Sequence, residues 1–312
     1  MEVKALAVGN TQVKNNVFLA PIAGYTDYCF RKLALKQGFG LCFTELVSAK
    51  GLMYGGDGSK ELLYALGDED KTAVQIFGSD AYFMRSACES EYLKHFKIVD
   101  INMGCPVPKV FKNGEGSALL TDIKKAQNII KECAKSGKII TVKIRTGQKQ
   151  GDDIASDFAM MAQDSGASLI TIHGRVREAY YSGEPDYNAI AKAKRAVKIP
   201  VIANGGIFTE EDANLMIERT GADGIMLARG AIADPFLVAR LTGSLSETTL
   251  KQFIIEHLKL MKKRYPEKKA ALEFRKFTPY YFKGMIGVKE LKSAINSTNT
   301  VDEVINLITQ NL

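Results

Sequence analysis

Eight short apolar runs, set apart by longer amphipathic stretches, constrain this chain more than any other feature. The runs are Val17–Ala20, Leu41–Leu46, Ala73–Phe77, Ile98–Asn102, Ile139–Ile144, Leu169–His173, Pro200–Asn204 and Gly224–Ala228. Most are rich in Val and Ile and apolar throughout, as strands covered on both faces are. Between them, Asp80–His95 and Asp122–Ser136 open on an N-capping Asp and repeat apolar residues every three or four positions. Asp152–Ser165 and Thr209–Thr220 read the same way, and Gly166 and Gly221 follow them where a helix end favours a left-handed residue. Eight strand–helix repeats in about 240 residues predict an α/β fold, the (β/α)8 TIM barrel. A doubly wound open sheet would place a glycine-rich dinucleotide fingerprint after its first strand. Here the first run leads instead into Pro21-Ile22-Ala23-Gly24.

The pattern changes after residue 242, which divides the chain into a barrel, 1–242, and a small all-helical domain, 243–312. Leu241–Thr249 reads as a Ser/Thr/Gly-rich connector. Leu250–Arg264 then predicts an amphipathic helix with Phe253, Ile254, His257, Leu258 and Met261 on one face, ended by Tyr265-Pro266. Ala270–Tyr281, Val288–Asn296 and Val301–Gln310 predict further helices. From Lys251 to the last residue, 12 Lys and Arg face 6 Asp and Glu, whereas the preceding residues hold 30 against 29. A neutral body with a basic appendage suits contact with a polyanion; a solvated helical surface is the plainer alternative.

Composition closes off other classes. A hydrophobic fraction of 46% and a charged fraction of 25% exclude disorder, collagen-like repeats and a coiled-coil rod. No apolar run approaches the ~18–20 residues of a membrane span. Met1-Glu2-Val3-Lys4 lacks the basic-then-apolar layout of a secretory leader, so none is expected. Five widely spaced Cys without a Cys-x-x-Cys imply no disulfide framework and a reduced, cytoplasmic setting. With three His, none paired with a Cys at ligand spacing, no metal site is expected either. The expected state is a monomer.

Barrel enzymes build their sites at the C-terminal ends of the strands. The runs here end in or carry Pro21, Ile22 and Ala23; Glu45; Gln75; Asn102 and Cys105; Lys143 and Arg145; His173 and Arg175; Asn204, Gly205 and Gly206; and Ala228, Arg229 and Gly230. Burying such polar groups unpaired costs several kcal/mol at worst. Each alone could be a satisfied structural group, but their collection at one end points to a polar ligand. The Gly205-Gly206 and Arg229-Gly230 turns follow the seventh and eighth strands, where barrels commonly hold phosphate.

These residues carry a family resemblance. Ala20-Pro21-Ile22-Ala23-Gly24-Tyr25-Thr26-Asp27, Gln75-Ile76-Phe77-Gly78, Asp100-Ile101-Asn102-Met103-Gly104-Cys105-Pro106, Lys143-Ile144-Arg145, His173-Gly174-Arg175 and Asn204-Gly205-Gly206 together resemble the tRNA-dihydrouridine synthases. The likeness covers about residues 17–240 and continues into Arg275-Lys276-Phe277 and Tyr281-Phe282-Lys283-Gly284. It departs from the family at Ala228, where Gly is usual, and at Phe277, where His is frequent. The resemblance implies an FMN enzyme that reduces the C5–C6 double bond of selected uridines in tRNA, with NADPH renewing the flavin. Lys143 would be the cation beside flavin N1 and O2, and Gln75 would meet the ring's pyrimidine edge with donor and acceptor alike. The Pro21–Ala23 turn would lie against the ring, His173 would assist its pyrimidine end, and the backbone around Asn204, Gly205, Gly206, Ala228, Arg229 and Gly230 would cradle the phosphate. If residue 228 must adopt positive φ, Ala there would be strained.

Hydride addition at C6 of uracil requires a proton at C5 from a general acid. Cys105 is the candidate: a free thiol has a pKa of ~8.5 and is protonated at neutral pH. It sits between Gly and Pro just past a strand end, whereas Cys29, Cys42, Cys88 and Cys133 read as small buried hydrophobes. Asn102 is assigned to the uracil amide edge. Arg175 and Arg177, on a loop with Tyr180 and Tyr181, suit an extruded nucleotide, with a solvated loop as the plain alternative. Lys276 and Lys283 are the candidate tRNA contacts of the tail. A flavin barrel acting on a free pyrimidine such as dihydroorotate is the competing reading, although a free pyrimidine needs no extended cationic surface.

Overall fold

The computed structural model describes residues 1–244 and 247–312; Leu245 and Ser246, within the expected connector, lie outside them. Eight parallel strands form the barrel: β1 (Val17–Leu19), β2 (Leu41–Phe43), β3 (Thr72–Phe77), β4 (Ile98–Met103), β5 (Ile139–Arg145), β6 (Leu169–His173), β7 (Val201–Asn204) and β8 (Gly224–Leu227). Neighbours in sequence pair in space, and β8 returns to β1, so the sheet closes on itself. The second strand is shorter than the Leu41–Leu46 run: it ends at Phe43 and resumes at Val47–Ser48, also against β3. Thr44 makes the break, with its N–H on the Ala73 carbonyl and its hydroxyl accepting from Gln75 N.

Alternation along each strand explains how near-continuous apolar runs build a polar site. Outward residues such as Val99, Ile101, Val142, Ile144, Ile170 and Ile172 pack against the surrounding helices. Inward residues at the lower end, among them Phe18, Leu41, Ile98, Leu169 and Ile202, fill the barrel. Farther along the same inward rows stand Gln75 on β3, Asp100 and Asn102 on β4, Lys143 on β5, His173 on β6 and Asn204 on β7. An antiparallel hairpin, Leu6–Val8 with Thr11–Val13, seals the bottom by burying Val8 and Val13 in that inner cluster. Its strands have three residues each, too few for a periodic signal.

The N-capping Asp residues act as expected at Asp80 and Asp122, and Thr209 forms a capping box with Asp212. Two boundaries differ. The helix expected from Asp80 to His95 ends at Glu89, where Ser90 takes extended backbone. The helix expected from Asp152 begins at Ala155, because the Asp152 carboxylate instead accepts from Gln148 N and Lys149 N in the preceding turn.

The C-terminal region is helical: Leu250–Arg264, Glu267–Phe274, Thr278–Tyr281, Lys289–Ser297 and Val301–Asn311. The Ala270–Tyr281 stretch is thus two helices joined by a tight turn at Arg275–Phe277, with Pro279 in the first turn of the second. All five residues expected on one face of the first tail helix, four apolar ones and His257, are buried. Phe277 lies between Phe30 of the barrel and Tyr281, with ring centroids 5.8 and 5.6 Å away, and edge-on to His257 at 4.6 Å. His257 Nδ1 is 2.9 Å from the Tyr281 hydroxyl. The Tyr265 hydroxyl donates to Asp27, whose other oxygen caps helix Tyr28–Gln37. Barrel and tail therefore share one apolar core.

Candidate active site

The C-terminal ends of the strands surround a cleft of about 360 Å³. Pro21, Ile22, Ala23, Gln75, Asn102, Cys105, Lys143, His173, Arg175, Asn204, Gly205, Gly206, Ala228, Arg229 and Gly230 all line it. Three expected site residues stand elsewhere. Arg177 lies with its guanidinium 3.8 Å from the Phe111 ring centre, Lys276 pairs with Glu273, and Lys283 is exposed on the tail. Residues that the sequence did not single out complete the wall: Tyr25, Phe208, Met226 and, from the tail, Tyr280. Tyr25 and Tyr280 meet edge to face at 5.5 Å, which carries the tail to the cleft. Only the fold brings Tyr280 to the barrel's open end.

No carboxylate lines the cleft among the described residues, while Lys143, Arg145, Arg175 and Arg229 all do. Lys143 Nζ donates to Asn204 Oδ1 at 2.9 Å, and Asn204 Nδ2 donates to the Met226 carbonyl at 2.7 Å. Burial, and then the neighbouring Arg145, pulls the Lys143 pKa down to about 7. His173 falls well below the ordinary histidine value, chiefly through burial and then through the same cations. It is therefore neutral. Arg175 Nη1 lies 3.2 Å from His173 Nε2, and a guanidinium only donates, so the ring proton is on Nδ1. Arg145 donates to the carbonyls of Gly104, Val176 and Tyr180, tying the β4 and β6 loops together. Tyr180 is the only non-glycine residue at positive φ among those described, and its carbonyl is one that Arg145 holds.

Of the five Cys, Cys105 alone is partly exposed. Burial raises its thiol pKa, so at neutral pH it carries its proton. Its N–H donates to Asn102 Oδ1 at 3.0 Å, and its carbonyl accepts from Ser117.

The glycine turns fit an anionic group. A Cβ on Gly230 would lie 2.1 Å from the Ile207 carbonyl oxygen, and one on Gly205 would lie 2.7 Å from His173 Cδ2. Gly205 and Gly206 have φ of 116° and 72°, a region that glycine enters freely. At both positions neighbouring protein atoms leave no room for a side chain, so bare main chain lines the cleft there. Ala228 has φ −118°, so the residue that departs from the family carries no left-handed strain. Arg229 stands 4.7 Å from the Tyr181 ring centre at the same end. One phosphate, held between two helix-leading turns, suits this wall. Among the described residues, no cluster of three His, Cys, Asp or Glu side chains is arranged to hold a metal ion.

Comparison with known proteins agrees with this geometry. The family model for dihydrouridine synthase matches residues 18–312. The tRNA-dihydrouridine synthase B of Pseudomonas syringae pv. tomato is 33% identical over 302 residues, covering 94% of this chain and 90% of that protein. That of Vibrio cholerae is 32% identical over 97% of both chains. Among solved structures, a 2-naphthoyl-CoA reductase complex superposes with a TM-score of 0.62 at 14% identity, over 77% of this chain and 52% of that one. Histamine dehydrogenase from Rhizobium sp. 4-9 superposes at 0.60 and 13%, over 82% of this chain and half of its own. These two show the barrel fold.

Proposed function

The chain belongs to the dihydrouridine synthase family, and from that membership we propose that it reduces the C5–C6 double bond of selected uridines in tRNA, using FMN renewed by NADPH. The observation that carries the reading is the meeting of Cys105, Lys143 and the Gly205-Gly206 and Arg229-Gly230 turns in one cleft that has no carboxylate among the described residues. When bound, the flavin supplies the hydride. The chain's own residues bind, orient and protonate. The two glycine turns and Arg229 would hold a single phosphate, and no adenine-binding fingerprint accompanies them, which favours FMN over a dinucleotide. Lys143 would offset negative charge on the bound ring, and Gln75 and neutral His173 would offer it hydrogen bonds. Asn102 meets the uracil amide edge. Cys105 keeps a proton on Sγ and delivers it to C5 as hydride reaches C6, so that both hydrogens are accounted for.

Arg145 and Arg175 help to draw an anionic nucleotide into the cleft, and the basic tail holds the remainder of the RNA, with Arg177 and Lys283 as outlying contacts and Lys276 joining them only by exchanging Glu273 for a phosphate. The experiment is a map of dihydrouridine in tRNA from cells lacking the gene. Loss at defined positions, restored by the wild-type gene and not by Cys105→Ala, is expected. An unchanged map would refute the proposal.

A further inference from the structure

We infer that Asp100 is a positioning residue that fixes the orientation of two cleft amides and, through them, the loop that carries Cys105. The inference rests on the tRNA-reducing function proposed above. Register places Gln75, Asp100 and Thr141 side by side on β3, β4 and β5. All three are buried, and Asp100 is completely so. Gln75 Nε2 donates to Asp100 Oδ2 at 2.7 Å, and the Thr141 hydroxyl donates to Oδ1 at 2.5 Å. Asn102 Nδ2 donates to Gln75 Oε1 at 2.8 Å. Asn102 Oδ1 then accepts from Gly104 N at 3.3 Å and Cys105 N at 3.0 Å.

The chain of bonds has one direction, and Asp100 sets it. An ionised carboxylate only accepts, so it fixes the nitrogen end of Gln75 towards itself. Gln75 then offers oxygen to Asn102, which must turn its nitrogen to Gln75 and its oxygen to the loop. A flipped Asn102 would set an NH₂ group against two backbone N–H groups. Burial raises the Asp100 pKa to about 6, which leaves the group mostly ionised at neutral pH. Each amide keeps a second N–H, and both residues line the cleft. Donors there match the carbonyl edge of a pyrimidine. With an apolar residue at 100, nothing would hold the Gln75 amide in this sense, and the loop would lose the acceptor that seats Cys105.

The test compares wild type, Asp100→Asn and Asp100→Leu. Asn retains an oxygen for Gln75 while its nitrogen faces the Thr141 hydroxyl, which also accepts; Leu offers neither. In cofactor-free protein, alkylation by iodoacetamide reads the Cys105 loop, because the other four Cys are buried. Asp100→Leu should raise that rate several-fold, and Asp100→Asn should leave it near wild type. In FMN-loaded protein, Asp100→Leu should lower kcat for tRNA by about 10–100-fold, as misplaced catalytic groups do, with KM for tRNA unchanged. Asp100→Asn should retain most of kcat. Should Asp100→Leu fail to fold, Gln75→Leu interrupts the same chain one link later and should raise the alkylation rate likewise. Unchanged alkylation in the Leu variant that folds, or an Asn variant as impaired as Leu, would overturn the inference. Wild-type protein inactive on tRNA would refute the proposed function instead, leaving the alkylation rates to decide the role of Asp100.

Discussion

Cys105 differs from the other four cysteines in one measurable respect, partial exposure at a ligand cleft, and the chemistry assigned to it follows from that. Cys105→Ala should keep FMN and tRNA binding and lose turnover by about 10²–10⁴-fold, the usual contribution of a general acid. Rapid-mixing absorbance should still record flavin reduction by NADPH at a near-normal rate, because that half-reaction does not use the thiol. Equal tRNA turnover in variant and wild type would assign the proton to another group. Lys143 supports a second prediction. Burial holds its folded pKa at about 7, well under the ordinary lysine value. Between those two pH values the unfolded chain binds a proton that the folded chain lacks, so folding stability rises with pH across that window. Below about pH 7 the whole penalty of a buried cation is present. The Tm of cofactor-free wild type, measured relative to Lys143→Met, should therefore climb from pH 7 to pH 9; a constant difference would contradict the assigned burial. These side chains were legible in the sequence because polar groups at the ends of apolar runs have few structural uses. Asp100 was not singled out, since a carboxylate inside a strand reads as part of a motif until register places Gln75 and Thr141 beside it.

Strands and capped helices were legible where one local signal decided the outcome. Barrel strands buried on both faces read as apolar runs, and Asp80, Asp122 and Thr209 marked helix starts by their side chains. Asp152 had two local uses, and the turn at Gln148–Lys149 took it. The Ala270–Tyr281 break was hidden, because Pro279 in the first turn of a helix does not interrupt the apolar pattern. Asp27 does two things at once: one oxygen caps helix Tyr28–Gln37 and the other accepts from Tyr265 of the tail. Asp27→Ala should cost about 1–2 kcal/mol from the cap alone, measured by urea unfolding. It should cost more than Tyr265→Phe, which removes only the tail bond. If the two variants lose equal stability, the cap contributes nothing.

Across the whole molecule, the basic tail is partly spent on structure. Lys262 pairs with Asp302, Lys269 with Glu61, and Lys276 with Glu273. Lys263, Lys268, Lys283 and Lys289 remain exposed. The excess charge was legible as a count, but which cations stay free depends on the packing of tail against barrel. Because Phe30 and Phe277 stack across that junction, severing the tail would expose core, and RNA binding is better tested in the full chain. Reversing Lys268 and Lys283 to Glu should weaken tRNA binding without altering the flavin spectrum. It should also flatten the dependence of log K on log salt, by about 0.7–0.9 for each phosphate that the tail no longer neutralises. An unchanged affinity and slope would remove these lysines from the RNA surface.

The most direct measurement supplies purified, FMN-loaded protein with NADPH and offers it either an unmodified tRNA transcript or free uridine. Mass spectrometry of the digested products should find two added hydrogen atoms on uridine from the tRNA and none on the free nucleoside. Reduction of free uridine at a comparable rate would make this a small-molecule reductase, and no reduction of either would leave the cleft without the assigned chemistry.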